Sequence, residues 1–155
     1  MEDLHDILNY VAIGPDLGTA GQPGRDQFAL LREAGYELVV NLAMPASTGA
    51  LAGEAELVAA QGMDYVHIPV VWEAPTLANL ERFFEVMEGA RGRKVFVHCA
   101  LNMRVSAFVF LYRVLRLGVP LDAARETMLR IWQPEGVWSA FVDDVLAGHG
   151  LAPAV

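Results

Sequence analysis

The sequence predicts an α/β domain: a central, mostly parallel sheet of about four to five strands, flanked by helices. Two observations carry this. From residue 25 onward, segments with helical spacing alternate with short apolar runs in the order helix, strand, helix, strand, helix, strand, helix. Such alternation is the mark of helices layered on a parallel sheet. The chain of 155 residues is also 54% hydrophobic, with no internal repeat and no Gly-, Ser- or Pro-rich linker, which suits one compact unit over residues 1–155 with its own core.

The elements follow in order. Residues 7–14, "ILNYVAIG", and 17–23, "LGTAGQP", read as two short strands joined by turn residues. In 26–34, "DQFALLREA", Phe28, Leu31 and Ala34 lie near one helical face, and Gly35 follows where a helix end favours a left-handed residue. "ELVVNL" is a short buried strand, "GEAELVAAQG" a helix closed by Gly62, and "DYVHIPV" a further strand leading into the loop "VWEAPT". Pro75 or Thr76 opens the next helix, in which Leu77, Leu80, Phe84 and Met87 share a face. "KVFVH" is the last strand. An apolar helix over roughly 104–117 stops at "GVP". Two more helices lie near 120–132 and 136–147, separated by "QPEG".

Composition removes several classes of function. A formal charge of -8 works against nucleic acid and anionic membranes. No window approaches 18 uninterrupted apolar residues, and the acidic start "MEDLHDILNY" does not resemble a secretory signal. A lone cysteine forms no internal disulfide, and a cytoplasmic location is expected. His5, His67 and His149 lack metal-ligand spacing, so no metal and no other cofactor is expected.

The chemistry concentrates in "VFVHCALNMRVSAF", residues 95–108. In parallel sheets ligands bind beyond the carboxyl ends of the strands, and Cys99 is the first residue past one. Each residue from Ala100 to Arg104 carries a backbone N–H. A short loop entering a helix can turn such groups toward one point, with the helix dipole behind them. Arg104 adds a permanent cation with a planar fork suited to an oxyanion. The same field would lower the thiol's pKa and make Cys99 a thiolate nucleophile. Glu73, beside Trp72 and Pro75 on the loop after the preceding strand, is the candidate acid for a leaving oxygen and base for water.

These residues resemble the cysteine-dependent protein tyrosine phosphatase superfamily, and most of all its small bacterial dual-specificity-like branch, whose function is not established. The likeness runs in order through "GTAGQPGRDQFALLREAGYELVVNL", "GMDYVHIPVVWEAPTLANLERFFEVM" and "KVFVHCALNMRVSAFVFLYR", about residues 18 to 113. It implies a phosphotyrosine-phosphatase-like fold. It also implies hydrolysis of a phosphate monoester, on a small molecule or a phosphoprotein, through a cysteinyl-phosphate. On the superfamily pattern His-Cys, five residues, Arg, then Ser or Thr, Cys99 is the nucleophile and His98 tunes it from behind. The backbone of Ala100, Leu101, Asn102 and Met103 cradles phosphate, Arg104 clamps it, and the Ser106 hydroxyl eases loss of the thiolate. Glu73 stands where the family usually has Asp.

The chain departs from that pattern in one place. Four residues, not five, separate Cys99 from Arg104, while Ser106 keeps its distance from the cysteine. Either the loop is a residue shorter, or the helix keeps its register and Arg104 sits one position early. The loop also lacks the usual glycine, a place Asn102 could fill in a left-handed conformation. A gap of four resembles the rhodanese sulfurtransferases too, which would make Cys99 a persulfide carrier. A silent phosphate-binding module is the third reading.

Other motifs have plainer expectations. Asn41 ends a strand as a turn or capping residue, and His67 is a hydrogen-bonded structural histidine. Trp132, Trp138 and Phe141 pack the last helices onto the core, with Gln133 a remote candidate to orient a water. "GQPG" at 21–24 is a turn by default, with shaping of the pocket rim as the other reading. The substrate and the oligomeric state are not legible.

Overall fold

The computed structural model describes residues 1–154. Five strands form one sheet: β1 (Val11–Gly14), β2 (Leu17–Ala20), β3 (Leu38–Asn41), β4 (Asp64–His67) and β5 (Val95–His98), in the spatial order β1-β2-β5-β3-β4. Only the β1–β2 pair is antiparallel; β2, β5, β3 and β4 run parallel. Six helices surround the sheet: α1 (Phe28–Glu33), α2 (Glu54–Ala60), α3 (Leu77–Gly89), α4 (Met103–Leu115), α5 (Leu121–Leu129) and α6 (Val137–Gly148). The expected α/β layering is therefore what the chain adopts.

Boundaries move for local reasons. The first strand begins at Val11 rather than residue 7, because Leu4–Asp6 form a 3₁₀ turn capped by Asp3 and Tyr10 N–H bonds back to Ile7 O. The fourth regular strand ends at His67, yet Ile68 N–H and Val70 N–H still donate to Asn41 O and Leu42 O, so the chain stays extended to residue 70. Gly35 and Gly62 take positive φ, as a helix end requires.

Strand alternation divides the core into two layers. Leu38, Val40, Val95 and Val97 pack on one face with Phe83, Phe108 and Trp138 from α3, α4 and α6. Val39 and Phe96 pack on the other with Phe28, Leu31 and Val58 from α1 and α2. Each such fully buried side chain contributes about 1.5–3 kcal/mol of transfer free energy. The same alternation governs the end of β5. His98 falls on the α1/α2 face against Phe28, and Cys99 falls on the face of α3 to α6. No helix among the described residues is long and apolar enough to cross a membrane.

Candidate active site

Beyond the carboxyl ends of β3, β4 and β5 lies a cleft of about 470 Å³. The β5–α4 junction contributes Cys99, Ala100, Leu101, Met103 and Arg104. The loop after β3 contributes Met44, Ser47 and Thr48, and the loop after β4 contributes Val71, Trp72 and Glu73. The strand-end rule thus gathers three separate stretches of sequence at one place.

The Cys99 loop is held from behind. Cys99 O accepts from His98 Nδ1 (3.2 Å), Ala100 O from Gln22 N–H (3.0 Å), and Leu101 O from Asn9 Nδ2 (3.0 Å). A trans peptide points its N–H opposite its carbonyl. Three carbonyls tied back in succession therefore turn the amides of Ala100, Leu101 and Asn102 the other way. Among the described residues, none of the amides from Ala100 to Arg104 meets a protein acceptor. Gly21 makes this approach possible: a Cβ there would stand 2.6 Å from Ala100 O. "GQPG" is thus the floor of the loop rather than a plain turn.

Asn102 takes the left-handed conformation expected of it, with φ 70. Its Nδ2 donates to Asn9 O (2.9 Å) and Thr19 Oγ1 (3.2 Å), tertiary contacts that hold the side chain of a residue in that backbone region. Its side chain is buried away from the cleft. The helix starts at Met103, making Arg104 the second residue of α4.

Early as it is, Arg104 reaches the cleft. Its Nη1 donates to Val70 O (3.0 Å) and Nη2 to Ser47 Oγ (3.3 Å), and the guanidinium lies 6.0 Å from the Trp72 ring centre. These contacts orient the fork and leave other N–H groups for an anion. Cys99 is only 1% exposed and packs against the core, but it lines the same cleft as Arg104.

Ser106 is not brought to the sulfur. Its Oγ donates to Met103 O (2.9 Å), accepts from Trp132 Nε1 (3.0 Å), and lines a small cavity with Thr19 and Arg113 instead. The register explains this. Arg104 and Ser106 are two residues apart, about 200° around the helix, so they face opposite sides. The superfamily's adjacent Arg and Ser or Thr escape that conflict; here buried Val105 separates them.

Glu73 stands on the rim, exposed. Its loop is pinned by Trp138 Nε1 donating to Trp72 O (2.8 Å) and by Trp72 packing on Trp132 and Trp138. Trp138 and Phe141 pack the helices as expected, and Trp132 also donates to Met103 O, holding the first turn of α4. Gln133 lines a different cavity. His67 Nε2 meets Ala43 O (2.6 Å), the structural role expected of it, and Asn41 Oδ1 accepts from Ala43 N–H (2.8 Å) in a turn.

Two residues were invisible in the sequence. Ser47 sits in "AMPASTGA", on the loop after β3. The strand-end rule that selected Glu73 would have flagged that loop, though not the particular serine. Glu54, in the first turn of α2, meets the fully buried His98 at 2.7 Å. No local pattern distinguishes it from any acidic helix start.

The comparisons with known proteins agree with this fold. A crystal structure of a candidate phosphatase (DUF442) from Shewanella putrefaciens CN-32 is 35% identical, over 96% of this chain and 97% of that one, with a TM-score of 0.85. Two more distant structures share the fold. TpbA from P. aeruginosa is 21% identical, over 87% of this chain and 83% of that one, with a TM-score of 0.70. The core catalytic domain of the PP-IP phosphatase SIW14 from S. cerevisiae is 12% identical, over 93% and 94%, with a TM-score of 0.73. No curated protein matches the chain. Residues 16–136 match the model of the family described as DSP-PTPase phosphatase fused to NAD+ kinase, and the chain belongs to that family.

Proposed function

We propose that this protein hydrolyses a phosphate monoester through a cysteinyl-phosphate on Cys99. One observation carries the reading: the sole cysteine, an oriented guanidinium and a run of amides without protein acceptors converge on one cleft. In the first step the Cys99 thiolate attacks phosphorus, forming P–S as the ester P–O bond breaks. The leaving oxygen takes a proton from the Glu73 carboxyl. Charge on the equatorial oxygens falls to the loop amides and Arg104. In the second step water attacks phosphorus, P–O forms as P–S breaks, the Glu73 carboxylate takes the water's proton, and the thiolate is restored.

Among the described residues Arg104 is the only cation lining the cleft, while Met44, Trp72 and Leu101 are apolar. That composition favours a singly phosphorylated group carried on an apolar or aromatic body, whether a small molecule or a phosphoprotein.

Turnover of p-nitrophenyl phosphate tests the proposal. Activity is expected in the wild type and absent in Cys99→Ser, a loss of about 10⁴-fold or more. Robust thiosulfate-to-cyanide transfer with the aryl phosphate untouched would replace hydrolysis by sulfur transfer. Absence of both activities, with phosphate still protecting Cys99 from alkylation, would leave a binding module.

A further inference from the structure

We propose that Glu54 is a positioning residue for the nucleophile loop: its carboxylate keeps His98 doubly protonated, so that the ring both anchors the Cys99 carbonyl and sets a positive charge behind the thiol. The inference rests on the reading of Cys99 as nucleophile and deepens it.

The argument begins with hydrogen-bond accounting. His98 is fully buried, and each ring nitrogen faces an acceptor: Cys99 O lies 3.2 Å from Nδ1 and Glu54 Oε2 lies 2.7 Å from Nε2. With Glu54 ionised, a neutral imidazole, which has one N–H, can satisfy only one of them. Donation to both requires the imidazolium. A buried imidazolium needs a counter-charge, because desolvation of an unpaired cation is costly. The Phe28 and Phe96 rings lie against it. Glu54, 5% exposed, is the one carboxylate that meets it.

Glu54 is itself held ionised. Burial pushes its carboxyl up. The hydrogen bond and charge of His98, with hydrogen bonds from Gln22 and Tyr65, outweigh this and bring it below the usual carboxylate range. The other titratable groups near the pair are Tyr65 on β4 and Glu56 on α2. Burial raises the Tyr65 hydroxyl beyond its ordinary range, so it stays neutral at physiological pH. On the cleft side stand Cys99 and Arg104.

Two routes connect Glu54 to the cradle. Through His98 it fixes Cys99 O. Through Gln22, whose Nε2 donates to Glu54 Oε1 (2.7 Å) and whose N–H donates to Ala100 O (3.0 Å), it fixes the next carbonyl. Strand alternation places this pair on the opposite face from the thiol, so it acts without touching substrate.

The test uses the sole cysteine and needs no turnover. His98 ring nitrogens are followed by NMR across pH 5–9, and the pH dependence of Cys99 alkylation by iodoacetamide is measured. Wild type, Glu54→Gln and Glu54→Asp are compared. Wild-type His98 is expected to hold both ring protons at pH 8. In Glu54→Gln one proton is lost and the alkylation midpoint rises by about one pH unit; Glu54→Asp recovers part of it. A neutral wild-type ring at pH 7, or an alkylation midpoint unmoved in Glu54→Gln, overturns the proposal. If Glu54→Gln does not fold, the wild-type ring titration alone decides. Lack of phosphatase turnover would count against hydrolysis while leaving both readouts intact.

Discussion

The two sides of the cleft are built differently. On the Cys99 side, three successive carbonyls are tied back, Asn102 is locked in a left-handed conformation, and Arg104 is oriented by Val70 and Ser47. On the opposite side, Glu73 projects from an exposed loop held by the Trp72–Trp132–Trp138 cluster, and its carboxylate has no hydrogen bond among the described residues. In the proposed reading, a tied-back anion seat faces an exposed acid. Preorganised donors do most when charge develops in a fixed place, whereas an acid can be brought up once substrate is bound.

Breaking the seat should therefore cost more than breaking the rim. Arg104→Lys keeps a cation but loses the fork that meets Val70 O, Ser47 Oγ and the anion together. It is expected to lower kcat/KM for p-nitrophenyl phosphate by about 10²–10³-fold. A loss under tenfold would mean that the guanidinium does not meet the transferring group.

Glu73→Gln sharpens the contrast. With an alkyl phosphate, whose leaving oxygen needs a proton, turnover should fall by about 10²-fold. With p-nitrophenyl phosphate, whose leaving group is stable as an anion, the fall should be much smaller. The basic limb of the pH–rate profile should vanish in the variant, and its persistence would assign the acid to another group.

The support behind the seat has its own signature in acid. The Glu54 carboxyl is held below its usual range in the folded state, so the unfolded chain binds this proton first as pH falls. Its contribution to stability is complete above about pH 4.5 and is lost as pH drops through the lowered folded value. Denaturant midpoints measured from pH 7 to pH 3 should decline for the wild type and decline less for Glu54→Gln. Parallel curves would show that the pair does not couple to folding.

The smallest effect is expected at Ser106. Because its hydroxyl bonds Met103 O and Trp132 on the far side of α4, Ser106→Ala should change turnover by less than about threefold, at a stability cost of about 1 kcal/mol. A tenfold slowing of phosphoenzyme breakdown would mean that the hydroxyl reaches the sulfur during catalysis after all.

The contrast also shows what the chain's linear pattern can reveal. The β5–α4 unit was legible because its parts are contiguous: an apolar run, His98-Cys99, a short loop and Arg104 all lie within ten residues. Glu73 was reached only through the strand-end rule, which places a loop at the cleft without fixing the contacts of any one side chain. Ser106 misled because superfamily spacing was carried over without following the rotation of a helix that begins a residue early. Glu54 and Ser47 were missed because nothing local marks them; 44 residues separate Glu54 from His98.

The sequence by itself determined the layered α/β architecture and the place of Cys99 at a strand end, because hydrophobic period and helix punctuation act over a few residues. Tertiary structure alone decided which carboxylate meets His98, which hydroxyl orients Arg104, and which way Ser106 faces. Those depend on side chains meeting across the sheet and around a helix, where separation along the chain carries no information about distance.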